Sequence, residues 1–192
     1  MTNKILVLEG HPEKKSFCNA LAEAVKAGAL EVGAEVRHVK LTDLDFEASL
    51  QGAYQATHDL EPDLEQLWEE MKWCDRMILV HPLWWGAAPA KLKGLFDRLL
   101  RPGEAFHYEE GKALPIGHLK GRMAEALITS DTPTWYLRWI YRAGWHVILK
   151  KQILEFCGFK VGRIRNLGPM LSANEQKRAR FLDMARKVGR AV

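Results

Sequence analysis

Hydrophobic positions along the chain alternate between short apolar runs and stretches with helical spacing. Apolar runs and period-two alternation predict five strands, at residues 4–8, 35–41, 77–81, 122–129 and 161–167. Helical spacing, together with stop and cap signals, predicts helices at residues 17–32, 61 to about 73, 89–100, roughly 149–156 and 175 to about 188. Residues 105–114 are predicted to form an extended excursion between two of these elements.

The order of the elements indicates the fold class. Strands and helices alternate, which is typical of a parallel sheet covered by helices on both faces. Five strands in that alternation predict a three-layer α/β fold with a flavodoxin-like, doubly wound, five-stranded parallel sheet. With 192 residues, the chain is expected to form a single domain spanning residues 1–192.

Three loops that follow predicted strands carry the candidate chemistry, and in a doubly wound sheet they meet at one edge. The first places His11 and Ser16 just before a helix, where backbone N–H groups bind phosphate. The alternative is that Ser16 only caps the helix and His11 only fills a turn. The loop after the third strand is broad and apolar, and contains Pro82, Leu83, Trp84, Trp85 and Gly86.

Neighbouring side chains on an extended segment point opposite ways, so at least one of the two tryptophans should face the crevice. The loop after the fourth strand offers hydroxyls and backbone donors for the polar edge of a flat heterocycle, at Thr129, Ser130, Asp131 and Thr132. An ordinary polar turn is the alternative there. Together the loops predict one site with phosphate-binding atoms, an aromatic floor and a polar rim.

The charge of the chain and its cysteines indicate which classes of ligand and which cell compartment to expect. The net charge is +4, and after residue 159 nine lysines and arginines stand against Glu175 and Asp183. That stretch is either a solvated helix face or a surface that attracts an anionic cofactor such as a pyridine dinucleotide. No nucleic-acid motif accompanies it, so nucleic-acid binding is not expected.

The three cysteines lack metal-type spacing, and neither a signal peptide nor a membrane-spanning run is evident. We therefore expect a cytoplasmic protein with reduced thiols, no metal and no membrane insertion.

The chain resembles the NAD(P)H:quinone oxidoreductase family over nearly its whole length and in the correct order. The central motif is Pro82-Leu83-Trp84-Trp85, followed by residues 89–98 and then by Gly103-Glu104-Ala105-Phe106-His107-Tyr108. His11-Pro12-Glu13 with Ser16-Phe17 matches the family's flavin diphosphate loop, and residues 154–159 match a further common segment.

The resemblance implies a flavin enzyme and assigns roles to residues. It implies a homodimer with its active sites at the subunit interface, where NAD(P)H and a quinone-like acceptor occupy one cleft in turn, by a ping-pong mechanism. His11, Ser16, Phe17, Cys18 and Asn19 would hold the phosphate side of the flavin, residues 82–86 would line the ring, and residues 129–132 would contact its polar edge. Phe106 and Tyr108 of the partner subunit would roof the substrate cleft. The phosphate-loop pattern favours FAD, with FMN possible.

The chain departs from the family in the loop after the fourth strand and at the position of one histidine. In the family's mammalian members the loop after the fourth strand is glycine-rich and is followed by a tyrosine and, six residues later, by a histidine. Here Asp131-Thr132-Pro133 replaces the glycines, Tyr136 matches the tyrosine, and Arg142 stands at the histidine position. Tyr136 and Arg142 are therefore the candidate catalytic residues, with Arg142 expected to stabilise negative charge at the flavin. A regulatory subunit of a membrane transporter is the alternative function. An electron-carrier flavodoxin is disfavoured, because those proteins are typically acidic.

Overall fold

A computed structural model describes residues 3–50 and 59–191 of the chain. Its main sheet contains the strands β1 (Lys4–Glu9), β2 (Glu35–Lys40), β3 (Arg76–Pro82), β6 (Met123–Thr129) and β7 (Lys160–Leu167). All four pairings are parallel, in the order β2-β1-β3-β6-β7. The predicted five-stranded, doubly wound sheet is confirmed.

Helices cover both faces of the sheet. They are α1 (Phe17–Glu31), α2 (Pro62–Trp73), α3 (Ala90–Leu99), α4 (Thr134–Trp139), α5 (Gly144–Ile148) and α6 (Glu175–Arg190). Within residues 3–50 and 59–191, no helix is long and apolar enough to cross a membrane.

Successive strand residues point to opposite faces and so build two separate cores. Ile5 and Val7 of β1 belong to the core that contains side chains of α1 and α6. Leu6 and Leu8 belong to the other core, with side chains of α2, α3 and α5. Helices α1 and α6 pack very closely at Gly28, where an added Cβ would lie 2.0 Å from the carbonyl oxygen of Arg186.

The strand order places four loops at one edge. The chain passes from β1 to β2 on one side and returns to β3 on the other, so the carboxyl ends of β1 and β3 mark the switch point where doubly wound sheets bind ligands. Backbone hydrogen bonds tie the loops together there. Gly10 N–H donates to Val80 O at 2.7 Å, Leu83 N–H to Thr129 O at 2.7 Å, and Ser130 N–H to Leu167 O at 3.1 Å.

The region between β6 and β7 departs from prediction. A helix is predicted only at roughly 149–156, whereas helical structure begins at α4 and continues through α5 into a π-helical segment, Leu149–Leu154. The Glu155 N–H donates to Lys150 O, five residues back, at 2.9 Å, which is the π-helical pattern. Aromatic side chains on all sides of residues 134–148 obscure the helical period.

The excursion predicted at residues 105–114 is one arm of a small hairpin. Its strand β4 (Phe106–His107) pairs antiparallel with β5 (Ile116–Gly117), outside the main sheet. A strand of two residues is too short to produce an alternation pattern in the sequence.

Candidate functional site

A cleft of about 260 Å³ opens at the carboxyl edge of the sheet. Nine of the predicted site residues line it together, and they come from all three predicted loops: His11, Phe17, Cys18, Pro82, Leu83, Trp84, Thr129, Ser130 and Asp131. The remaining lining residues are Met170, Leu171 and Arg178, from the loop after β7 and the start of α6. The sequence did not single out this fourth loop.

The loop after β1 supplies donors at one end of the cleft. Ser16 caps α1, because its Oγ accepts the Asn19 N–H at 3.1 Å. His11 Nδ1 accepts the Glu13 N–H at 3.0 Å, which leaves Nε2–H of the neutral ring as a donor. The cap and turn roles considered from sequence are thus present, but they leave the Ser16 hydroxyl proton, the His11 Nε2–H and the first N–H groups of α1 to bind an anion.

The side chain of Asn19 is committed elsewhere. Its Nδ2 donates to Glu9 Oε2 at 3.1 Å, and Asn19 is not among the residues that line the cleft. Glu9 is almost fully buried at the end of β1. A buried carboxylate needs such a hydrogen bond, so Asn19 anchors the start of α1 to the sheet.

Asp131 fixes the fourth loop in place over the cleft. Its Oδ1 accepts the backbone N–H groups of Met170 at 3.1 Å and Leu171 at 2.7 Å. Ser130 Oγ donates to Asn166 Oδ1 at 3.1 Å. Asp131 therefore joins two loops, and Ser130 joins its loop to β7. Backbone hydrogen bonds also occupy Thr129 O, Ser130 N–H and Ser130 O, so the backbone of residues 131 and 132 is what this loop offers as a polar rim.

Arg178 adds a permanent positive charge that sequence reasoning missed at this site. It lies in the first turn of α6, and its guanidinium stands 5.2 Å from the ring centroid of Phe17. Nε donates to Ala173 O at 3.1 Å and one terminal nitrogen to Met170 O at 3.2 Å. These bonds hold the side chain over the cleft. The only signal in the sequence was the basic C-terminal stretch, which does not reveal which cation faces the site.

The two tryptophans after β3 separate onto two sides of a tight turn. Trp84 and Ala87 exchange backbone hydrogen bonds of 2.9 and 3.0 Å, and φ is +49° at Trp85 and +77° at Gly86. This is the pattern of a type I′ turn. Trp84 lines the cleft and meets His11 edge-on, with ring centroids 5.6 Å apart. Trp85 is fully exposed at the tip, in a conformation rare for a bulky residue, as occurs at functional sites.

A second cavity of about 470 Å³ lies on the Trp85 side of the turn. Leu83 lines both spaces, so the second cavity adjoins the cleft. Predicted residues Trp85, Gly86 and Thr132 line it, together with Leu137, Tyr141, Gly144 and Trp145. Three aromatic side chains, Trp85, Tyr141 and Trp145, stand among its walls, which suits a flat ring.

A buried histidine fixes the wall of this cavity from behind. Trp145 Nε1–H donates to His81 Nε2 at 3.3 Å, and His81 Nδ1 lies 2.8 Å from Pro82 O. Because an indole N–H can only donate, His81 is neutral with its proton on Nδ1, bonded to Pro82 O. Burial lowers the pKa of His81 to about 4, which favours the same neutral form.

The cleft cysteine is not a nucleophile. Cys18 Sγ lies 3.3 Å from Thr129 Oγ1, and burial raises the pKa of its thiol to about 12. Cys74 and Cys157 are also free and buried. In the described part of the chain, no group of three or more histidine, cysteine, aspartate or glutamate residues could hold a metal ion.

The candidate catalytic pair lies just outside these two spaces. Tyr136 is half-buried and meets Tyr141 edge-on with ring centroids 4.9 Å apart, so it supports the cavity wall from one layer behind. Arg142 is exposed in the turn between α4 and α5, with φ of +55°. Neither residue lines the cleft or the second cavity.

Phe106 and Tyr108 lie away from the cleft of their own chain. Phe106 packs against Phe156 with ring centroids 4.7 Å apart, while Tyr108 is 57% exposed. Both line a third cavity of about 480 Å³ that shares no lining residue with the first two. Within one subunit these rings cannot roof the cleft.

A protein-family model described as "Flavodoxin-like fold" matches residues 3–189. The chain belongs to this flavodoxin-like family. Its cleft lies at the switch point of this fold, where ligands of doubly wound proteins bind.

Individual relatives of this flavodoxin-like protein are named as oxidoreductases. An "Uncharacterized NAD(P)H oxidoreductase" of Haemophilus influenzae is 32% identical over 128 residues, which cover 65% of this chain and 62% of the relative, less than two thirds of its length. The mouse protein named "Ribosyldihydronicotinamide dehydrogenase [quinone]" is 27% identical, with 96% of this chain and 90% of the relative covered.

A solved structure is similar to this chain over almost its whole length. The NAD(P)H:quinone oxidoreductase from Methanothermobacter marburgensis superposes with a TM-score of 0.81 at 26% identity, covering 99% of this chain and 96% of that one. These comparisons confirm the family resemblance and the prediction that this flavodoxin-like protein is an oxidoreductase enzyme.

Proposed function

We propose that this protein is a flavin-dependent NAD(P)H oxidoreductase that delivers two electrons to a quinone or a similar flat aromatic acceptor. The observation that carries the proposal is the convergence of four loops at the switch point, with anion donors in the cleft and an aromatic cavity beside it. The names of the relatives support the same reaction. Residues 1–192 are proposed to act as one flavin-binding domain.

The residues present fit a flavin. The N-terminus of α1, the Ser16 hydroxyl, His11 Nε2–H and Arg178 form a donor set suited to a phosphate. Pro82, Leu83 and Trp84 supply apolar walls for a ring system. The backbone N–H groups of residues 131 and 132 are proposed to supply its polar rim, while the backbone of Thr129 and Ser130 holds the neighbouring loops in place.

A bound flavin supplies the two-electron chemistry, accepting hydride from NAD(P)H and reducing the acceptor. Overall, NAD(P)H, one proton and a quinone give NAD(P)⁺ and a hydroquinone. The chain binds, orients and shields the reactants. The cavity beside Trp85 is proposed to receive the nicotinamide and the acceptor in turn, which makes the kinetics ping-pong. Because neither Tyr136 nor Arg142 lines the cleft or this cavity, Tyr136 is proposed to position the cavity wall through Tyr141. Arg142 is proposed to stabilise negative charge at the flavin from outside the cavity.

Two cofactor assignments are proposed. FAD is the choice that the phosphate-loop pattern favours, and FMN is the alternative. The name of a relative from Cereibacter sphaeroides, "FMN-dependent NADH:quinone oxidoreductase", 28% identical over 82% of this chain, supports FMN. The mass of the flavin released on denaturation distinguishes them, because FAD carries an additional adenosine monophosphate.

The active unit is proposed to be a cytoplasmic homodimer with interface active sites. Tyr108 is exposed and, with Phe106, lines a cavity that shares no lining residue with the cleft of its own subunit. The rings would complete the cleft of a second copy. Sedimentation of a fully active monomer would contradict this arrangement.

Steady-state kinetics test the shared cavity. Double-reciprocal plots against NAD(P)H at several concentrations of a soluble quinone should give parallel lines. NAD(P)H alone should also bleach the flavin absorbance in the absence of air before quinone is added. Intersecting lines would indicate a ternary complex and would contradict alternate occupation of one cavity.

A further inference from the structure

An exposed aromatic and basic surface lies beside the second cavity. We call it the aromatic–basic surface and define it by Trp135, Trp139, Ile140 and Tyr141 with Arg138 and Arg142. Trp135 is 62% exposed and Trp139 67%, and Ile140 and Tyr141 are exposed to a similar degree. Large apolar side chains grouped in this way on a surface mark a binding partner.

The members of this surface are organised by contacts with one another. The Arg138 guanidinium lies 5.4 Å from the Trp139 ring centroid, a cation–π distance. Trp135 meets Tyr136 edge-on at 5.4 Å, and Tyr136 meets Tyr141 at 4.9 Å. Trp135, Tyr136 and Tyr141 therefore form a connected run of rings, and Arg138 lies against the ring of Trp139.

The charged side chains between Asp131 and Glu155 are all positive. Between Asp131 and Glu155 the sequence contains no acidic residue but contains Arg138, Arg142, Lys150 and Lys151. The two lysines pair with Glu155, at 3.8 and 2.7 Å, so the two arginines carry the positive charge among the aromatic rings. The complementary partner is an anionic one.

We propose that the aromatic–basic surface docks the protein on an anionic lipid bilayer. Tryptophan and tyrosine are the residues that settle at the headgroup level of a bilayer. Arginines beside them are attracted to anionic headgroups. No described helix can span a membrane, so the contact is peripheral.

Docking in this way brings the second cavity to the membrane. Tyr141 belongs to the aromatic–basic surface and also lines that cavity with Trp85. Its opening would then face the layer in which quinones with long isoprenoid tails dissolve. This benefit rests on the proposed function, whereas the docking itself does not.

Vesicle co-sedimentation of the flavin-loaded protein tests the docking. Vesicles containing phosphatidylglycerol should carry the protein down, vesicles of phosphatidylcholine alone should not, and added salt should weaken the binding. Arg138→Gln should reduce partitioning about fivefold, as expected for one interfacial charge. Trp135→Ser with Trp139→Ser should reduce it by about tenfold or more, since the apolar contact is lost. Leu30→Ser, at an exposed site on α1, is the matched control and should bind normally.

Two results would overturn the proposal. One is a double tryptophan variant that binds phosphatidylglycerol vesicles as well as wild type does. The other is a wild-type protein that does not bind these vesicles, and sedimentation of the double variant then decides what the surface contacts: a change from dimer to monomer is the decisive result. That result would make the surface a contact between copies of this chain.

An activity assay separates this proposal from the proposed function. With an isoprenoid quinone embedded in anionic vesicles, the double tryptophan variant should lose turnover about as much as it loses binding. With a water-soluble quinone it should match wild type. If wild type reduces neither quinone, the proposed function fails while co-sedimentation still decides the docking. Equal loss with both quinones would contradict the docking role of the tryptophans.

Discussion

Acidification should destabilise the folded protein through one buried imidazole. His81 is fully buried at the end of β3, where burial lowers its pKa to about 4. In the unfolded chain its pKa is the ordinary value, about 6.5. As pH falls through this window, the unfolded chain takes up the proton and the folded protein does not. The contribution of His81 to the free energy of unfolding is therefore complete above pH 6.5 and is lost progressively down to pH 4.

The size of this loss follows from the width of the window. Each pH unit within it costs about 1.4 kcal/mol, so the full loss is about 3 kcal/mol, of which about 2 kcal/mol falls above pH 5. Burial also lowers the pKa of the half-buried His146, so this histidine adds to the loss in the same direction. Carboxylates with lowered pKa values, such as Glu125, contribute at more acidic pH.

Urea unfolding of the flavin-free protein at several pH values between about 7 and about 5 measures this dependence. His81→Phe should flatten it markedly, while the contribution of His146 remains in that range. Trp145→Phe is the matched control, because it removes the indole donor but leaves the buried imidazole. It should lower stability at every pH and keep the steep dependence. An unchanged slope in His81→Phe would refute the reasoning.

Substitutions at four further positions test individual features. Trp85→Ala should change the free energy of unfolding by less than about 0.5 kcal/mol, yet weaken flavin or acceptor binding by about 0.5–1.5 kcal/mol in fluorescence titrations. Arg178→Gln should weaken flavin binding by about 1.5–3 kcal/mol, with partial retention in Arg178→Lys; unchanged affinity would remove the phosphate role. Gly28→Ala should cost about 1–3 kcal/mol of stability on urea unfolding, because α1 and α6 must separate. Tyr136→Phe should lower turnover about tenfold or less, and a thousandfold loss would show that its hydroxyl is indispensable.

Local patterns in the sequence predict the sheet well. Buried strands such as β1 and β3 appear as continuous apolar runs, and helix α1 has a serine cap and a clear period. The order of these elements determines which loops meet, so nine lining residues of the cleft could be named in advance. Helices α4 and α5 were missed because the exposed rings of Trp135, Trp139 and Tyr141 break the contrast between buried and solvent-facing positions.

The parts of the site that sequence could not predict depend on long-range geometry. Arg178 reaches the cleft only because α6 packs against α1, more than 140 residues away in the chain. The role of Asp131 in fixing residues 170 and 171 likewise depends on the pairing of β6 with β7. The separation of Trp84 from Trp85 depends on a type I′ turn with a tryptophan at positive φ, a position that usually takes glycine or asparagine.

The flavin content of the purified protein tests the central claim most directly. Protein produced with ample riboflavin, FMN and FAD should be yellow and release one flavin per subunit on denaturation. The flavin-free form should rebind that flavin, and Arg178→Gln should rebind it more weakly. Protein that contains no flavin and binds neither FMN nor FAD would contradict the account, because the cleft would then have a different ligand.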